Sequence, residues 1–178
     1  PDGYPVFIDH PAGPNLICFV DTAYANDLRK RRSTTGYAIM LAGGAIAWRS
    51  KTQSTTALSS TEAEFYAAVS AAKVCLFLCH ILTCLQQSPT GPTLIYEDNE
   101  ACINVVNARH PTERTRHIET PYFRIQDWRE QDVIKLIHIP GIVNNSDDLT
   151  KPLGWVLHSR HARRTMGHFV PTTSHRLL

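Results

Sequence analysis

Two apolar stretches of this chain run straight into a carboxylate, and a third carboxylate heads a helix face. LICFVD (16–21) and TLIYED (93–98) are β-prone runs of strand length that end on Asp21 and Asp98. In SSTEAEFYAA (59–68) a helix begins, and Glu64 heads a face that continues through Ala67, Ala68 and Ala71 at i+3, i+4 and i+7. Small residues on that face allow close packing on a sheet. A carboxylate leading it is costly to bury unless something positive meets it. Glu62 lies two positions earlier and points to another side of the helix. With Ser59 three residues before it, Glu62 completes a capping box, so its expected role is structural.

The remaining elements follow in order. GYAIMLAGGAIAWRSKTQ (36–53) carries two β-prone runs around Gly43-Gly44, a hairpin signal. The helix that starts near Ser59 is expected to run to about Gln87, where QQSPTGP breaks it. NEACINVVNA reads as a helix, HPTERTRH as a loop, and Pro121 suits the first turn of the helix YFRIQDWREQ. VIKLIHIP alternates as a strand, and NNSDDLTKPL (144–153) reads as a loop entering a short helix with Asp147 and Asp148 near its start. From Gly154 onward no period is visible. This order of strands and helices predicts a mixed α/β domain over residues 16–153, with a loose extended segment at 1–15 and a basic tail at 154–178.

Chain length and composition suit one soluble globular domain: 178 residues, 43% hydrophobic and 19% charged. All 16 acidic residues precede position 149, whereas five of the 18 basic residues follow it, and RKRR (29–32) forms an internal basic run. Such a distribution can approach a phosphate backbone or simply be a solvated surface. The five cysteines form no CxxC pair and three share one helical run, which points to reduced core residues in a reducing compartment. The apolar segment 63–85 is interrupted by Glu64, Lys73 and His80, so no membrane span is expected. The first residue is proline rather than methionine, the expectation being a piece of a longer chain.

Aspartates that end neighbouring strands of an α/β sheet point into the crevice at the carboxyl ends of those strands. Asp21, Asp98, Glu64 and Asp147 are thus candidates for one cluster of hard oxygen ligands, free of histidine and cysteine, which suits Mg²⁺ or Mn²⁺ rather than zinc. Converging carboxylates repel one another, and two cations would neutralise them and support in-line phosphoryl displacement. The alternative is that Asp21 and Asp98 only end strands or cap helices.

The stretch FVDTAYANDLRKRRSTTGYAIMLAGGAIAWRSKTQSTTALSSTEAEFYAA, then IYEDNEACI, TRHIE and NNSDDLTKPL, resembles the ribonuclease H domain of copia-type retrotransposon Pol polyproteins. The resemblance spans roughly residues 16–153, and RRSTTGY, SSTEAE and LTKPL are its most specific motifs. It implies a ribonuclease H-like fold with a mixed five-stranded sheet, helices on both faces and three antiparallel strands first. It implies hydrolysis of the RNA strand of RNA–DNA hybrids with two Mg²⁺ ions, Mn²⁺ being an alternative, beside a reverse transcriptase domain of the same polyprotein. No small-molecule cofactor is implied. The setting would be a cytoplasmic retrotransposon particle, with the nucleus as the alternative. By position, the catalytic and metal-holding set falls on Asp21, Glu64, Asp98 and Asp147.

Departures from the resemblance are local. Ala23 stands where relatives carry a second aspartate, Asn26 replaces a glycine, and Asp148 takes a place that is usually apolar. The place of a mobile histidine found in many cellular ribonucleases H falls on Ile142, and His138 reads as a strand side chain. Contacts to 2′-hydroxyls that separate RNA from DNA would come from the Asp21–Ala25 turn, including Thr22, and from Asn99. Arg29, Arg31, Lys51 and Arg116 would hold phosphates without reading sequence. Two rival readings are a hybrid-binding scaffold without catalysis and an integrase-like strand transferase. Four clustered carboxylates oppose the first, and LTKPL with the helix glutamate opposes the second.

Overall fold

The computed structural model describes residues 13–108 and 119–167. Five strands form one mixed sheet: β1 (Ile17–Ala23), β2 (Thr34–Leu41), β3 (Gly44–Thr52), β4 (Thr93–Glu97) and β5 (Ile134–His138). Four α-helices accompany them: α1 (Ser60–Cys84), α2 (Glu100–Asn107), α3 (Glu119–Glu130) and α4 (Trp155–Thr165). In space the strands run β3-β2-β1-β4-β5. The first three are antiparallel neighbours, while β1 pairs with β4, and β4 with β5, in parallel. A parallel partner for β1 requires a long crossover, and α1 supplies it.

Alternation along the strands divides the core. Leu16, Cys18 and Val20 of the β1 segment, with Tyr37 and Ile39 of β2, face α1, α2 and α3 in the larger cluster. Ile17, Phe19, Met40 and Tyr96 face the other way, with Ile139 and Val143, and the Phe19 and Tyr96 rings stack at 5.3 Å between centroids. By length and hydropathy α1 could cross a bilayer. Here Ala67, Ala68, Ala71, Ala72 and Cys75 are fully buried in the core instead. All five cysteines are free thiols.

Several boundaries differ from the sequence expectations for identifiable reasons. The hairpin turns at Ala42-Gly43, one residue earlier than the Gly-Gly pair suggested, since Leu41 pairs with Gly44. Both turn residues have positive φ, 49° and 88°, as a two-residue hairpin of this hand requires. Helix α1 ends at Cys84 with Leu85 as its cap, and Gln86 at φ 61° turns the chain away. Ser59 does accept from the Glu62 amide, but the Glu62 carboxylate reaches the Leu58 amide at 2.8 Å, one residue beyond the reciprocal capping-box bond. Asp21 lies inside β1, two residues before its end. Pro121 falls in the first described turn of α3.

Part of the segment after Gly154, where the sequence shows no period, is a helix. α4 packs against β3 and a 3-10 turn at Asn145–Leu149, and its one fully buried side chain is His161, whose Nδ1 lies 3.1 Å from Asn145 Oδ1. Burial, then the charges of Arg164 and Arg160, push this histidine down to about 4, so it is neutral in place. A helix anchored by one histidine and flanked by arginines has no apolar period to read.

The short helix expected with Asp147 and Asp148 near its start is this 3-10 turn. It is tied to the sheet by Asn144, fully buried, whose Nδ2 donates to the Val20 carbonyl at 2.8 Å while its Oδ1 accepts from the Ser146 hydroxyl and amide. It lies flush on β2 at Gly36. A Cβ there would meet Thr150 Cγ2 at 2.5 Å, Leu149 Cβ at 3.0 Å and the Ser146 carbonyl oxygen at 3.1 Å. Because one of these atoms is backbone, Gly36→Ala is expected to lift the turn off the sheet and cost about 1–3 kcal/mol, measured as a lower urea midpoint at unchanged slope.

Candidate active site

β1 and β4 are parallel neighbours in register at Phe19–Tyr96, so two residues further on both strands deliver Asp21 and Asp98 side by side at their carboxyl ends. Helix α1 crosses the same end. Thr22 points inward and its hydroxyl donates to the Ala63 carbonyl at 3.3 Å, which seats the next residue, Glu64, over the strand ends. Carboxylate oxygens of Asp21, Glu64 and Asp98 all come within 4.8 Å of one another. Asp21 and Glu64 are buried and Asp98 is half-buried.

Asp147 stands beside this trio rather than inside it. Lys151 bridges the gap: its ammonium donates to Asp147 Oδ1 at 2.9 Å and to Asp21 Oδ1 at 3.3 Å. The Thr150 hydroxyl donates to the other Asp21 oxygen. The 3-10 turn thus brings one carboxylate, one cation and one hydroxyl to the strand ends together.

A fifth carboxylate was not singled out from sequence. Glu97 is fully buried, one residue before Asp98, and accepts from the Asn99 amide at 3.0 Å. Strand alternation in TLIYE signals it, because Glu97 follows Ile95 on the helix-covered side of β4. Gly141 closes the far side, where a Cβ would stand 2.7 Å from Asp98 Oδ2. Ile142, next to it, is exposed. His138 ends β5 on the surface, its Nδ1 4.0 Å from Glu100 Oε1.

The electrostatics express this crowding. Burial, then the charges of Glu97, Asp21 and Asp98, push the Glu64 carboxyl up to about 10. Burial also raises Glu97 well above its ordinary value. Asp98 is raised by burial and by Asp21, against the pull of Lys151. Asp147 rises to about 6, mainly through burial, with its Lys151 hydrogen bond opposing. Among the described residues Glu64 Oε2 and Glu97 Oε2 are buried without a hydrogen-bond partner. An orphaned oxygen on Glu64 within a trio of converging carboxylates is what a hard divalent cation satisfies, so the donor set fits Mg²⁺ or Mn²⁺.

The other expected contacts divide by position. Asn99 caps α2 through the Cys102 amide at 3.0 Å and flanks Asp98. Arg29 and Arg31 are exposed on the β1–β2 connection, away from the carboxylates, and Arg31 has φ 52°. Lys51 lies on β3 at the rim of a cleft. Arg116 lies outside the described residues. Asn26, in place of a glycine, accepts from the Thr34 hydroxyl at 2.9 Å, and Asp148 Oδ1 lies 3.4 Å from His158 Nδ1 of α4. Both departures are absorbed locally.

A mixed five-stranded sheet of this order, with carboxylates at the ends of β1 and β4 and at the start of the crossover helix, defines a ribonuclease H-like domain. LC11-RNase H1, isolated from compost, superposes with a TM-score of 0.59 at 15% identity over 77% of this chain and 93% of that one. Its complex with an RNA/DNA hybrid superposes at 0.53. The prototype foamy virus protease-reverse transcriptase superposes at 0.51 and 14% identity, over 92% of this chain and 22% of that one. At such identities these structures bear on the fold alone. No protein-family profile matches the chain. In sequence it is 34% identical over 138 residues to the retrovirus-related Pol polyprotein from transposon TNT 1-94 of Nicotiana tabacum, over 78% of this chain and 10% of the polyprotein. By sequence the chain belongs with the retrovirus-related transposon Pol polyproteins and by fold with the ribonuclease H domains, consistent with a ribonuclease H domain of a copia-type Pol, and it spans about a tenth of the length of the polyprotein it matches.

The raised carboxyls set a pH dependence of stability. An acid whose folded pKa exceeds its unfolded value binds more protons when folded, so its contribution is lost as pH rises. For Glu64 the window runs from about 4.5 to about 10. Without metal, the melting temperature is expected to fall as pH rises through this window, and Glu64→Gln to flatten the decline. Mg²⁺ or Mn²⁺ should raise the melting temperature more at pH 8 than at pH 5; scanning calorimetry across pH with and without metal reads both effects.

Proposed function

We propose that this domain hydrolyses the RNA strand of RNA–DNA hybrids with two bound Mg²⁺ ions, during reverse transcription in a cytoplasmic retrotransposon particle. The observation that carries the reading is the convergence of Asp21, Glu64 and Asp98 within 4.8 Å, the first two buried and Glu64 with an orphaned oxygen. A domain that merely bound a polyanion would gain nothing from burying like charges at its contact surface. The sequence likeness to Pol polyproteins, and the hybrid-bound LC11-RNase H1 on the same fold, support this substrate class.

Asp21, Glu64, Asp98 and Asp147 would hold the metal. When bound, the ions supply an activated water and charge stabilisation for the leaving oxygen. Lys151 balances Asp21 and Asp147, and Thr150 fixes the rotamer of Asp21 by donating to it. Glu97 orders the Asn99 amide and so the start of α2. Asn99, at that helix start, and the backbone after Asp21 would meet the minor groove of the hybrid, where 2′-hydroxyls distinguish RNA. Thr22 contributes by seating α1, its hydroxyl donating to the Ala63 carbonyl. Arg29, Arg31 and Lys51 would serve phosphates further out. A reverse transcriptase domain of the same polyprotein is the expected neighbour.

Cleavage of a strand-labelled RNA–DNA hybrid by the chain in Mg²⁺ or Mn²⁺ tests this. Only the RNA strand should be cut, single-stranded RNA and duplex DNA should survive, and Asp98→Asn should reduce cutting to background. Tight hybrid binding without cutting, also when the reverse transcriptase domain is supplied, would overturn the catalytic reading in favour of a scaffold.

A further inference from the structure

One cation stands inside the carboxylate cluster. Lys151 donates to Asp147 Oδ1 at 2.9 Å and to Asp21 Oδ1 at 3.3 Å, and both ion pairs that the cluster makes among the described residues are its own. Its place follows from the turn. The Lys151 amide bonds back to the Asp147 carbonyl at 3.0 Å, which sets the two side chains, four residues apart, on one side of the chain. The Thr150 hydroxyl donates to the other Asp21 oxygen. Both Asp21 oxygens thus have a protein donor already, while Glu64 Oε2 has none.

The two halves of the cluster therefore differ. Glu64 and Asp98 converge on Asp21 with an orphaned oxygen, open to a cation. Between Asp21 and Asp147 a cation is present from the start. Its side chain is 42% exposed, against 2% for Asp21 and 12% for Asp147, so the ammonium can swing into solvent on its flexible stem while the carboxylates stay fixed. Among the described residues it bonds nothing else that would hold it back. An ammonium and a divalent ion compete for the same carboxylate oxygens, and at contact distances they repel each other.

We propose that Lys151 is a displaceable counter-ion, which fills the gap between Asp21 and Asp147 in the metal-free domain and makes that gap the weaker of two cation sites. The inference rests on the metal-holding reading of these carboxylates and deepens it, because loading becomes ordered. The open half, Asp21 with Glu64 and Asp98, fills first; the half that Lys151 guards fills only when its ammonium is displaced. Until then the same ammonium keeps Asp147 beside Asp21 in spite of their like charge. A lysine that merely positioned Asp147 would act in the opposite sense, since its loss would loosen a ligand and weaken metal uptake.

Titration of the metal-stripped chain with Mn²⁺ at pH 7.5, followed by calorimetry and by the paramagnetic resonance of free Mn²⁺, reads this without any cleavage. Wild type should take up Mn²⁺ in a tight step and a weak one. Lys151→Gln is expected to strengthen the weak step by about tenfold or more, the scale on which groups beside the ligands alter metal affinity, and the tight step by less. Melting gives a second reading. In EDTA Lys151→Gln should melt below wild type, because Asp21 and Asp147 lose their shared cation. Saturating Mn²⁺ should close that gap, since tighter binding stabilises the folded chain more. Lys151→Arg keeps the charge and should restore both the melting temperature in EDTA and the weak second step; circular dichroism checks that both variants are folded. Equal steps in wild type, unchanged or weakened uptake in folded Lys151→Gln, or a melting deficit as large in Mn²⁺ as in EDTA would overturn the proposal. Absence of Mn²⁺ uptake by all three chains would sink it together with the metal-holding reading. Strengthened uptake in Lys151→Gln, beside a wild type that cuts no hybrid, would leave the role of Lys151 standing and sink the cleavage reading alone.

Discussion

Like charge held in a confined space is the constraint around which this domain is organised. Five carboxyl groups, Asp21, Glu64, Glu97, Asp98 and Asp147, meet where β1 and β4 end, and burial with mutual repulsion drives most of them toward the protonated form. Nothing about that cluster favours folding by itself. It persists because each member belongs to an element fixed by other means: a central strand, a crossover helix packed through alanines, and a turn pinned by Asn144 and Gly36. The site is therefore a load carried by the core, relieved in part by Lys151.

This division explains why the last carboxylate is the most intricately supported. Asp21 and Asp98 come from hydrogen-bonded strands, and Glu64 from a helix whose small-residue face leaves little freedom. Asp147 instead rides on a 3-10 turn with little regular structure of its own. Its placement draws on a buried asparagine to the Val20 carbonyl, on the absence of a side chain at Gly36, and on α4 packed behind through His161 and Asn145. Each of these is a contact between parts of the chain distant in sequence.

The likeness to Pol polyproteins gives these features a setting. The chain spans about a tenth of the polyprotein it matches, and under the proposed function it would hold a duplex and cut one strand of it. The cations of the β3 cleft share its lining with Gln53, which donates to Thr35 and to the carbonyl of Ala63, the residue before Glu64.

Much of this could be read from the chain alone. Apolar runs that end on Asp21 and Asp98, and a capped helix headed by Glu64 over alanines, are local patterns, and strand and helix periodicity translates them directly into position. Glu97 was equally legible in principle through the alternation of TLIYE. What the sequence could not determine were the features created by long-range contact. Lys151 becomes a counter-ion, Gly36 a contact surface and Asn144 a tether only once the 145–149 turn has folded back onto β1 and β2. Helix α4 stayed hidden because a single buried histidine leaves no period, and the basic cleft because its cations lie on three elements that meet only in the tertiary structure. Periodicity reports what a residue's own element does with it; the charge and space it meets there belong to the fold.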